Sequence, residues 1–313
     1  MNLNYQKHFP VMLPEILQAL APEDGKVYVD ATFGNGGYSE AILKTANCKV
    51  IALDRDPNVL ARAQELKNLY DDRFEFRAGQ FGNFAELISE TIDGAVFDIG
   101  VSSMQLDEAD RGFSFAKDAP LDMRMSQKGE TAADLINSLS EAELADIIYN
   151  YGEERKSRQI AKRIVEFRKN KLISTTKELA EIIYGVIHKT PNTIDPATRT
   201  FQALRIAVND ELGELQKGLR GATERLGANG KLVVVDFHSL EDRIVKTFFK
   251  ENSNKNRHVS KYGKGTAIDD DTIFVTCSKA IKPSDEEIKI NPRSRSAKMR
   301  FAVKKDKTQK EQN

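Results

Sequence analysis

Short apolar runs alternate with amphipathic stretches along the first part of the chain. The apolar runs predict buried strands over residues 27–30, 49–54, 74–76 and 95–98. Helical patterns over residues 15–20, 38–44 and 84–90 lie between them, and Asp56 with Pro57 has the composition of an N-cap and a first helical residue. This alternation predicts a parallel sheet flanked by helices.

The strand pattern stops after Asp98, and helical patterns take over. Apolar stripes at helical spacing predict further helices, one of which opens with a capping box formed by Thr175 and Glu178. The stripes are Leu144, Ile147, Ile148 and Tyr151; then Ile160, Ile164 and Phe167; then Leu179, Ile182, Ile183 and Val186. Residues 107–208 are therefore predicted to form an all-helical insertion.

Strand patterns return at residues 232–236, 273–276 and 299–303, the first of them behind a Gly-Ala-Asn-Gly turn and followed by the start of a helix. Residues 1–106 and 209–304 are thus predicted to form one discontinuous α/β domain. The polar residues 252–271 predict a mobile loop, and the charged residues 305–313 predict a disordered tail.

The overall composition indicates the class of protein but says little about its function. The 47 basic residues balance 47 acidic ones, so only the distribution of charge can indicate a partner. Cys48 and Cys277 lack a paired spacing and the four histidines are scattered, which predicts neither a disulfide framework nor a metal site. With no signal-like N-terminus and no apolar run near the ~20 residues of a membrane span, we expect a soluble cytoplasmic protein.

A glycine-rich turn between the first strand and the next helix is the strongest candidate binding element. Gly34, Gly36 and Gly37 can take positive φ and let a ligand approach the backbone over a helix N-terminus. Ser39 stands where a dinucleotide fingerprint has glycine, but Asp54 ends the second strand at the spacing expected for a ribose-binding carboxylate. The alternative is an ordinary tight turn.

Three acidic residues end predicted strands and meet at one edge of the sheet. Asp30, Asp54 and Asp98 would all lie beyond the carboxyl ends of strands, where such sheets bind ligands. This negative charge disfavours a pyrophosphate and favours a sulfonium cation carrying an adenosine. The charge therefore predicts S-adenosyl-L-methionine rather than a dinucleotide as the cofactor.

Basic residues are concentrated in one predicted helix. Residues 155–171 contain a single acidic residue, Glu166. The basic residues of this stretch are Arg155, Lys156, Arg158, Lys162, Arg163, Arg168, Lys169 and Lys171. In a chain of zero net charge this helix is either a phosphate-contacting face or a solvated helix surface.

Motifs spread over nearly the whole chain resemble one family, the bacterial 16S ribosomal RNA cytosine-N4 methyltransferases. They begin at Asp30 (DATFGNGG), Asp54 (DRDP), Asp98 (DIGVSS), Arg111 (RGFSF), Pro120 (PLDMRM), Tyr151 (YGEE), Thr200 (TFQALRI), Phe237 (FHSLEDR) and Asn291 (NPRSRS). The resemblance implies a class I S-adenosylmethionine-dependent, Rossmann-like fold with a seven-stranded, mostly parallel sheet and a helical insertion. It also implies methylation of N4 of a cytosine in the decoding region, with the small ribosomal subunit as partner.

The resemblance also implies site residues. Cofactor contacts carry over to Gly36, Gly37, Tyr38, Asp54, Asp98 and Gln105, and to a Phe after the third strand for which Phe84 and Phe81 are both matches. The chain departs from the family pattern at three positions: Tyr38 replaces the usual His, Met104 the usual Pro, and Asp236 the usual Ser. The RNA contacts would fall on Arg111, Arg124, Arg293 and Arg295, since guanidinium groups suit phosphates and stack on bases.

Two residues are candidates for the chemistry. Asp98 is the best-placed acceptor for the protons of the target amine, or it only orients the cofactor. His238, just beyond the fifth strand, is a second candidate as base or hydrogen-bonding group, although a lone His is more often structural. A dinucleotide-dependent oxidoreductase and a catalytically silent RNA-binding factor remain as alternatives, and the sequence leaves monomer and homodimer open.

Overall fold

The computed structural model of the chain describes residues 10–191, 193–253 and 272–306. Contacts divide the chain into two compact units, which we call the sheet unit (residues 1–100 and 212–313) and the helical unit (residues 101–211). The sequence analysis drew these boundaries at 107 and 208. Val101 and Leu106 pack against the core of the helical unit, which moves the first boundary towards the strand end.

Seven strands form one sheet in the sheet unit, in the order β3-β2-β1-β4-β5-β7-β6. Adjacent strands are parallel except that β7 pairs antiparallel with both β5 and β6. The strands are β1 Val27–Asp30, β2 Lys49–Asp54, β3 Phe74–Ala78, β4 Ile92–Asp98, β5 Leu226–Asp236, β6 Phe274–Cys277 and β7 Lys298–Lys304. All seven predicted strand positions are confirmed. The turn predicted at 227–230 lies inside β5, where the pairing register with β4 shifts.

Helices surround the strands in the sheet unit and make up most of the helical unit. They are α1 Leu13–Leu20, α2 Gly37–Thr45, α3 Leu60–Tyr70, α4 Phe84–Leu87, α5 Ser103–Asp107, α6 Ala132–Ser138, α7 Glu141–Gly152, α8 Ser157–Arg168, α9 Thr176–Tyr184, α10 Ala197–Asn209, α11 Glu211–Arg225, α12 Ser239–Glu251 and α13 Asp285–Ile290. Two predicted helices were drawn too long. The helix predicted to reach residue 90 ends at Leu87, because Ile88 is extended, and α9 ends before Val186.

The core of the sheet unit lies where helices cover the middle of the strands. Ile51, Phe97 and Val234 from the sheet are fully buried, and Leu215 and Leu219 of α11 pack in the same cluster. Truncating one such side chain to Ala costs about 2–5 kcal/mol of stability. Because the helices cover the strands themselves, the residues at the carboxyl ends of the strands are held on a rigid support.

The helical unit has a separate core built from the predicted stripes. Leu144 and Ile148 of α7, Ile160 and Ile164 of α8, and Leu179 of α9 are all fully buried. The predicted capping box of α9 is present, since Thr175 Oγ1 accepts from the Glu178 amide and Glu178 accepts from the Thr175 amide. Such caps stabilise a helix by about 1 kcal/mol.

Several predicted features fall outside this description. The predicted mobile loop lies mostly in residues 254–271, and the predicted tail mostly in residues 307–313, neither of which the structure describes. Within the described ranges, no helix is both long enough and apolar enough to cross a membrane.

Candidate functional site

Four strands that are neighbours in the sheet each end in an aspartate. In the order β2, β1, β4 and β5, these residues are Asp54, Asp30, Asp98 and Asp236. The register places Asp30 opposite Ala52 of β2 and Val96 of β4, so Asp54 and Asp98 both lie two residues further along their strands. The sequence analysis predicted the first three of these carboxylates at this edge, and the sheet adds a fourth.

The glycine-rich turn joins β1 to α2 and takes the conformation that glycine allows. Gly34 and Gly36 have φ of 51° and 73°. The Gly36 amide donates to the carbonyl of Phe33 at 2.7 Å, and a Cβ on Gly36 would lie 2.8 Å from the Phe33 ring. Any side chain at this position would therefore displace the ring, and glycine is required for both space and backbone angle.

Asp54 holds this turn from the neighbouring strand. Its Oδ2 accepts from the Gly34 amide at 2.8 Å, and its Oδ1 accepts from the Asp56 amide at 2.9 Å. Burial raises the pKa of Asp54, while the hydrogen bonds from the amides of Asp56 and Gly34 act in the opposite direction. Each carboxylate oxygen has a second lone pair, so Asp54 can fix the turn and still accept from a ribose hydroxyl.

Asp30 explains why Ser39 occupies a position where a dinucleotide site has glycine. Asp30 is fully buried, and its Oδ2 accepts from the Ser39 hydroxyl at 2.7 Å and from the Ser39 amide at 3.2 Å. Its Oδ1 lies 3.3 Å from the Thr32 amide. Asp30 therefore ties the first turn of α2 to the end of β1 and is not accessible to a ligand.

The start of α2 leaves backbone donors for a ligand. The Gly36 amide donates to the Phe33 carbonyl, and the Ser39 amide donates to the Asp30 carboxylate. The amides of Gly37 and Tyr38 lie in the first helical turn, where N–H groups lack a partner within the helix. Such a pair of amides at a helix N-terminus suits an anionic group.

Asp98 lies at the end of β4 beside Tyr38. The Asp98 amide donates to Thr32 Oγ1 at 2.7 Å, which connects the strand end to the first motif. The Tyr38 hydroxyl lies 2.6 Å from the Val11 carbonyl and 3.2 Å from Asp98 Oδ2. Asp98 Oδ1 is buried and has no hydrogen-bond partner among residues 10–191, 193–253 and 272–306.

This environment shifts the ionisation of Asp98. Burial raises the pKa of Asp98 to about 7, and the nearby carboxylates of Asp30 and Glu241 act in the same direction, while the Tyr38 hydroxyl opposes them. Burial also raises the pKa of Tyr38 well above its ordinary value, so the phenol keeps its proton. Asp98 therefore changes charge near neutral pH while Tyr38 does not.

The two candidate phenylalanines differ in exposure. Phe84 is fully buried and stacks on Phe97 with ring centroids 5.8 Å apart, as part of the sheet-unit core. Phe81 is partly exposed and contacts Phe97 by its edge at 5.7 Å. We therefore withdraw Phe84 as a cofactor contact, because a ligand would have to open the core to reach it, and keep Phe81.

His238 is not the isolated histidine that the sequence suggested. It is the N-cap residue of α12, and its Nε2 lies 2.9 Å from Oε1 of Glu241, which is fully buried. The other oxygen of Glu241 accepts from the Phe237 amide at 2.9 Å. The imidazole and the carboxylate are in close contact, but neither imidazole nitrogen has a hydrogen-bond partner in the described part of the chain. The sequence analysis missed Glu241, although its position three residues after His238 places both at the start of one helix.

Asp236 is the most unusual of the four aspartates. It is fully buried, and neither carboxylate oxygen has a hydrogen-bond partner within the described part of the chain. Lys298 and Arg300 of β7 instead pair with Asp242, at 2.8 Å and 2.7 Å. Burial raises the pKa of Asp236 to about 8; Asp242 and Glu241 add to the shift, and the two β7 cations oppose it. At neutral pH this side chain is mainly a neutral acid.

Two of the arginines predicted to contact RNA form hydrogen bonds with other residues of the helical unit. The Arg111 side chain is buried, and its Nη2 donates to the carbonyls of Arg124 and Met125 at 3.0 Å each. Arg124 forms a two-point contact with Asp122 at 2.9 and 2.6 Å. We withdraw Arg111 as an RNA contact, because freeing its guanidinium would leave two carbonyls without their donor. The Asp122 carboxylate already occupies the fork of Arg124.

The remaining predicted residues stay open. Arg293 and Arg295 are exposed on the short turn Pro292–Ser296 of the sheet unit. Gln105 belongs to the helical unit, where it forms a capping box with Ser102: its Oε1 accepts from the Ser102 amide at 3.1 Å. Among the residues that the structure describes, no group of three or more His, Cys, Asp or Glu side chains could hold a metal ion.

Comparison with known proteins gives one consistent result. A model described as the MraW methylase family matches residues 5–305. Over 300 residues, the chain is 56% identical to a protein of Rickettsia canadensis named ribosomal RNA small subunit methyltransferase H, covering 95% of this chain and 97% of that one. Over 302 residues, it is 55% identical to the protein of the same name from Rickettsia akari, covering 96% and 99%.

A solved structure of a putative methyltransferase from Streptococcus mutans in complex with SAH is 13% identical, covers 95% of this chain and 99% of its own, and has a TM-score of 0.43. The sheet order, with its antiparallel β7, is that of class I S-adenosylmethionine-dependent methyltransferases, so the predicted fold class is confirmed. Since the family model matches nearly the whole chain and the relatives share more than half of its residues, this chain belongs to the MraW methylase family.

Proposed function

We propose that this chain transfers a methyl group from S-adenosyl-L-methionine to the exocyclic N4 amine of a cytosine in the decoding region of 16S ribosomal RNA. At the coarser level it is a small-subunit ribosomal RNA methyltransferase, as its family and its named relatives are. Its methyl donor is S-adenosyl-L-methionine. The choice of the N4 position of cytosine is the finer part of the proposal and rests on the sequence motifs.

The residues at the sheet edge fit this donor. The turn at Gly36 and Gly37 is a cradle that a Cβ would fill, with the Phe33 ring beside Gly36 and the Pro10 ring beside Gly37. The amides of Gly37 and Tyr38 would hold the carboxylate of the methionine part. Asp54 would accept from the ribose hydroxyls, and the partly exposed Phe81 ring would lie against the adenine. When bound, this donor supplies a methyl group that is already activated on a sulfonium sulfur.

One observation carries the proposal: the buried oxygen Oδ1 of Asp98 has no partner in the ranges that the structure describes. Leaving such an oxygen without a hydrogen bond costs about 1–3 kcal/mol, so the arrangement is expected where a ligand supplies the donor. An exocyclic amine carries two N–H donors and meets this need. The same carboxylate at the strand edge favours a neighbouring cation.

Asp98 would prepare the amine for transfer. The lone pair on N4 of cytosine is delocalised into the ring, and an acceptor that holds an amine proton favours the pyramidal nitrogen with a localised pair. Asp98 would then take the proton that the nitrogen loses as the new N–C bond forms. A pKa of about 7 suits this task, because general bases work best with a pKa near the working pH.

Tyr38 would control which oxygen of Asp98 is available. A phenol has one hydrogen, and the Tyr38 hydroxyl lies within reach of both the Val11 carbonyl and Asp98 Oδ2. When Asp98 is ionised, Tyr38 can donate to Oδ2. When Asp98 is protonated, the carboxyl can donate to the phenol oxygen while the phenol donates to Val11. Either way Oδ2 is engaged, and Oδ1 is left for the substrate.

His238 would contact the nucleotide beside Asp98. Its position at the end of β5 follows from the pairing of β4 with β5, in which Asp98 is opposite Val235. Since neither imidazole nitrogen has a hydrogen-bond partner in the described ranges, both can bond to a ligand. We assign His238 a hydrogen bond to the target nucleotide and leave the proton with Asp98.

A pair of matched variants tests these roles. Asp98→Asn keeps the shape of the side chain but removes the base, and we expect kcat for methylation of small ribosomal subunits to fall about 10²–10⁴-fold while S-adenosylmethionine still binds. Asp54→Asn should instead weaken binding of the donor with a smaller effect on kcat. Normal turnover by Asp98→Asn would overturn the role of Asp98.

The position of the methyl group needs a separate measurement. Nuclease digestion and mass spectrometry of 16S ribosomal RNA from a strain without this chain should show loss of one N4-methylcytosine, restored by the wild-type chain but not by Asp98→Asn. A different missing modification would overturn the N4 assignment. Binding of NAD without binding of S-adenosylmethionine would replace the proposal with an oxidoreductase.

A further inference from the structure

The outward face of α8 carries a cluster of exposed cations in the helical unit. Arg158, Lys162 and Arg163 have side chains that are 78%, 66% and 60% exposed. They lie on the side of the helix opposite Ile160, Ala161 and Ile164, which are buried in the core of the unit. Arg155 before the helix and Lys169 after it are also exposed. We call these five cations the α8 surface.

The acids near the α8 surface do not neutralise it. Glu166 lies 4.0 Å from Lys162 and 3.6 Å from Arg163, and Asp146 of α7 lies 3.8 Å from Arg158. These are long, solvent-exposed ion pairs, which contribute little and exchange readily with other partners. An incoming anion can therefore replace them at low cost.

Other cations from the same stretch of sequence are used inside the unit. Arg168 donates to the carbonyls of Ile136 and Leu139, and Lys171, whose side chain is 67% exposed, pairs closely with Glu178 at the surface. Arg111 and Arg124, the residues that the motifs suggested for RNA, are committed in the same way. The structure thus separates the basic residues of this unit into those that hold the fold and those left at the surface.

The chemistry of the α8 surface favours a polyanion over a membrane. A helix that lies on a membrane exposes an apolar face next to its cations, but the apolar face of α8 is buried against α7 and α9. Closely spaced Arg and Lys side chains on a helix whose apolar residues pack inward suit a row of phosphates, which they bind by displacing counterions. Arg also offers a planar fork that matches a phosphate group.

We propose that the α8 surface binds the phosphate backbone of the RNA substrate. The identity of that RNA as 16S ribosomal RNA rests on the proposed function. The surface contributes affinity and orientation rather than sequence recognition, because phosphate contacts are the same for every sequence. Base recognition is left to other residues.

A triple variant, Arg158→Gln with Lys162→Gln and Arg163→Gln, tests the proposal in the full-length chain. Binding to transcribed 16S ribosomal RNA is measured at several KCl concentrations. Each lost phosphate contact should reduce the slope of log K against log salt by about 0.7–0.9, so we expect a reduction of about 2 and roughly 10–100-fold weaker binding at low salt. An unchanged slope would overturn the proposal.

A control of equal charge guards against a general electrostatic effect. Lys117, Lys128 and Lys177 are exposed on the same unit but lie outside α8. Their combined change to Gln should leave the salt slope near that of the wild type. An equal reduction in both triple variants would mean that net charge, not this surface, is responsible. Equilibrium binding of S-adenosylmethionine, unchanged in both, shows that the sheet unit is intact.

The outcome does not depend on whether the proposed methyl transfer is correct. If the wild-type chain binds the RNA with the expected slope but methylates no cytosine N4, the proposed function fails while the α8 surface stands. If methylation occurs and the α8 triple variant has the wild-type slope and KM, only the α8 proposal fails. Loss of binding to phosphatidylglycerol vesicles, with RNA binding unaffected, would assign the surface to a membrane and overturn the proposal.

Discussion

The two halves of the sheet edge use the same residue type in opposite ways. At the end of β1, both oxygens of Asp30 accept hydrogen bonds from the turn and helix that follow this strand. At the end of β2, one oxygen of Asp54 accepts from the same turn and the other accepts from the Asp56 amide. At the ends of β4 and β5, one oxygen of Asp98 and both oxygens of Asp236 have no partner in the described ranges. We call the first half saturated, in the sense that each carboxylate oxygen already has at least one donor, and the second half unsaturated, because three of its four oxygens have none in the described ranges.

The acidity of the buried residues follows this difference. Asp30 has three donors to its carboxylate and its pKa is raised to about 6. Asp98 has Tyr38, and its pKa is raised to about 7; Asp236 has none in the described chain, and its pKa is raised to about 8. Burial raises all three pKa values, and the donors return part of the shift. The saturated carboxylates hold the turn between β1 and α2 in shape, and the unsaturated ones have the more strongly raised pKa values.

The largest expected effect is a loss of stability when a carboxylate of the saturated half is removed. Asp30→Ala leaves the buried Ser39 hydroxyl and amide without their acceptor, and we expect the free energy of unfolding to fall by about 3 kcal/mol, measured by urea denaturation. Asp93→Ala is the control at the other end of the sheet, where the carboxylate is partly exposed and pairs with Lys26. That change should cost about 1 kcal/mol. Equal losses would mean that Asp30 is not a special support.

Replacing a carboxylate of the unsaturated half should instead raise the free energy of unfolding. In the unfolded chain Asp236 ionises near pH 3.9, but in the folded chain its pKa is raised to about 8. Between these values the unfolded state releases the proton first, so wild-type stability falls as the pH rises from about 4 to 8. Asp236→Asn lacks this loss, and we expect it to gain about 2 kcal/mol over the wild type between pH 5 and pH 6.5.

Urea midpoints of the wild type and Asp236→Asn at each pH measure this gain. Because Asp30 and Asp98 titrate in both proteins, their contributions cancel in the difference. Parallel curves for the two proteins would show that Asp236 is already ionised or already paired in the folded state. Asp236→Ser, which restores the residue usual in the resembling family, should behave as Asp236→Asn does.

The smallest expected effect concerns the charge of the ligand. Below a pH of about 7 Asp98 is mainly protonated, and above it the carboxylate attracts a cation. S-Adenosylmethionine carries a sulfonium charge that S-adenosylhomocysteine lacks, while their other ionisable groups match. We expect the ratio of their affinities to shift in favour of S-adenosylmethionine by up to about tenfold between pH 6 and pH 8.

Calorimetric titration with both ligands measures this ratio, and Asp98→Asn is its control. In the variant the ratio should not depend on pH. A ratio that stays constant in the wild type would place the sulfonium away from Asp98, and the proposed arrangement of donor and base would be wrong.

Local patterns were enough for the elements of the sheet unit. The apolar runs predicted each of the seven strands that the structure describes, and glycines at 34 and 36 take the positive φ that the strand-to-helix turn requires. They were not enough for the end of α4 or for the length of β5. Ile88 is as apolar as a helical residue, but its place in the sheet-unit core requires an extended backbone. Residues 227–230 look like a turn and are accommodated as a register shift.

The sequence by itself determined the helix-flanked parallel sheet and the positions of its acidic strand ends, because strand periodicity and turn residues act over a few neighbouring positions. The family came from the resemblance of motifs spread along the chain. Only the tertiary structure decided which of those acids accept hydrogen bonds at both oxygens and which arginines donate to other residues of the fold. Asp98 meets Tyr38, Arg111 meets Met125, and Phe84 stacks on Phe97 only after chain folding. A side chain's partners, and with them its charge and availability, depend on residues far away along the chain.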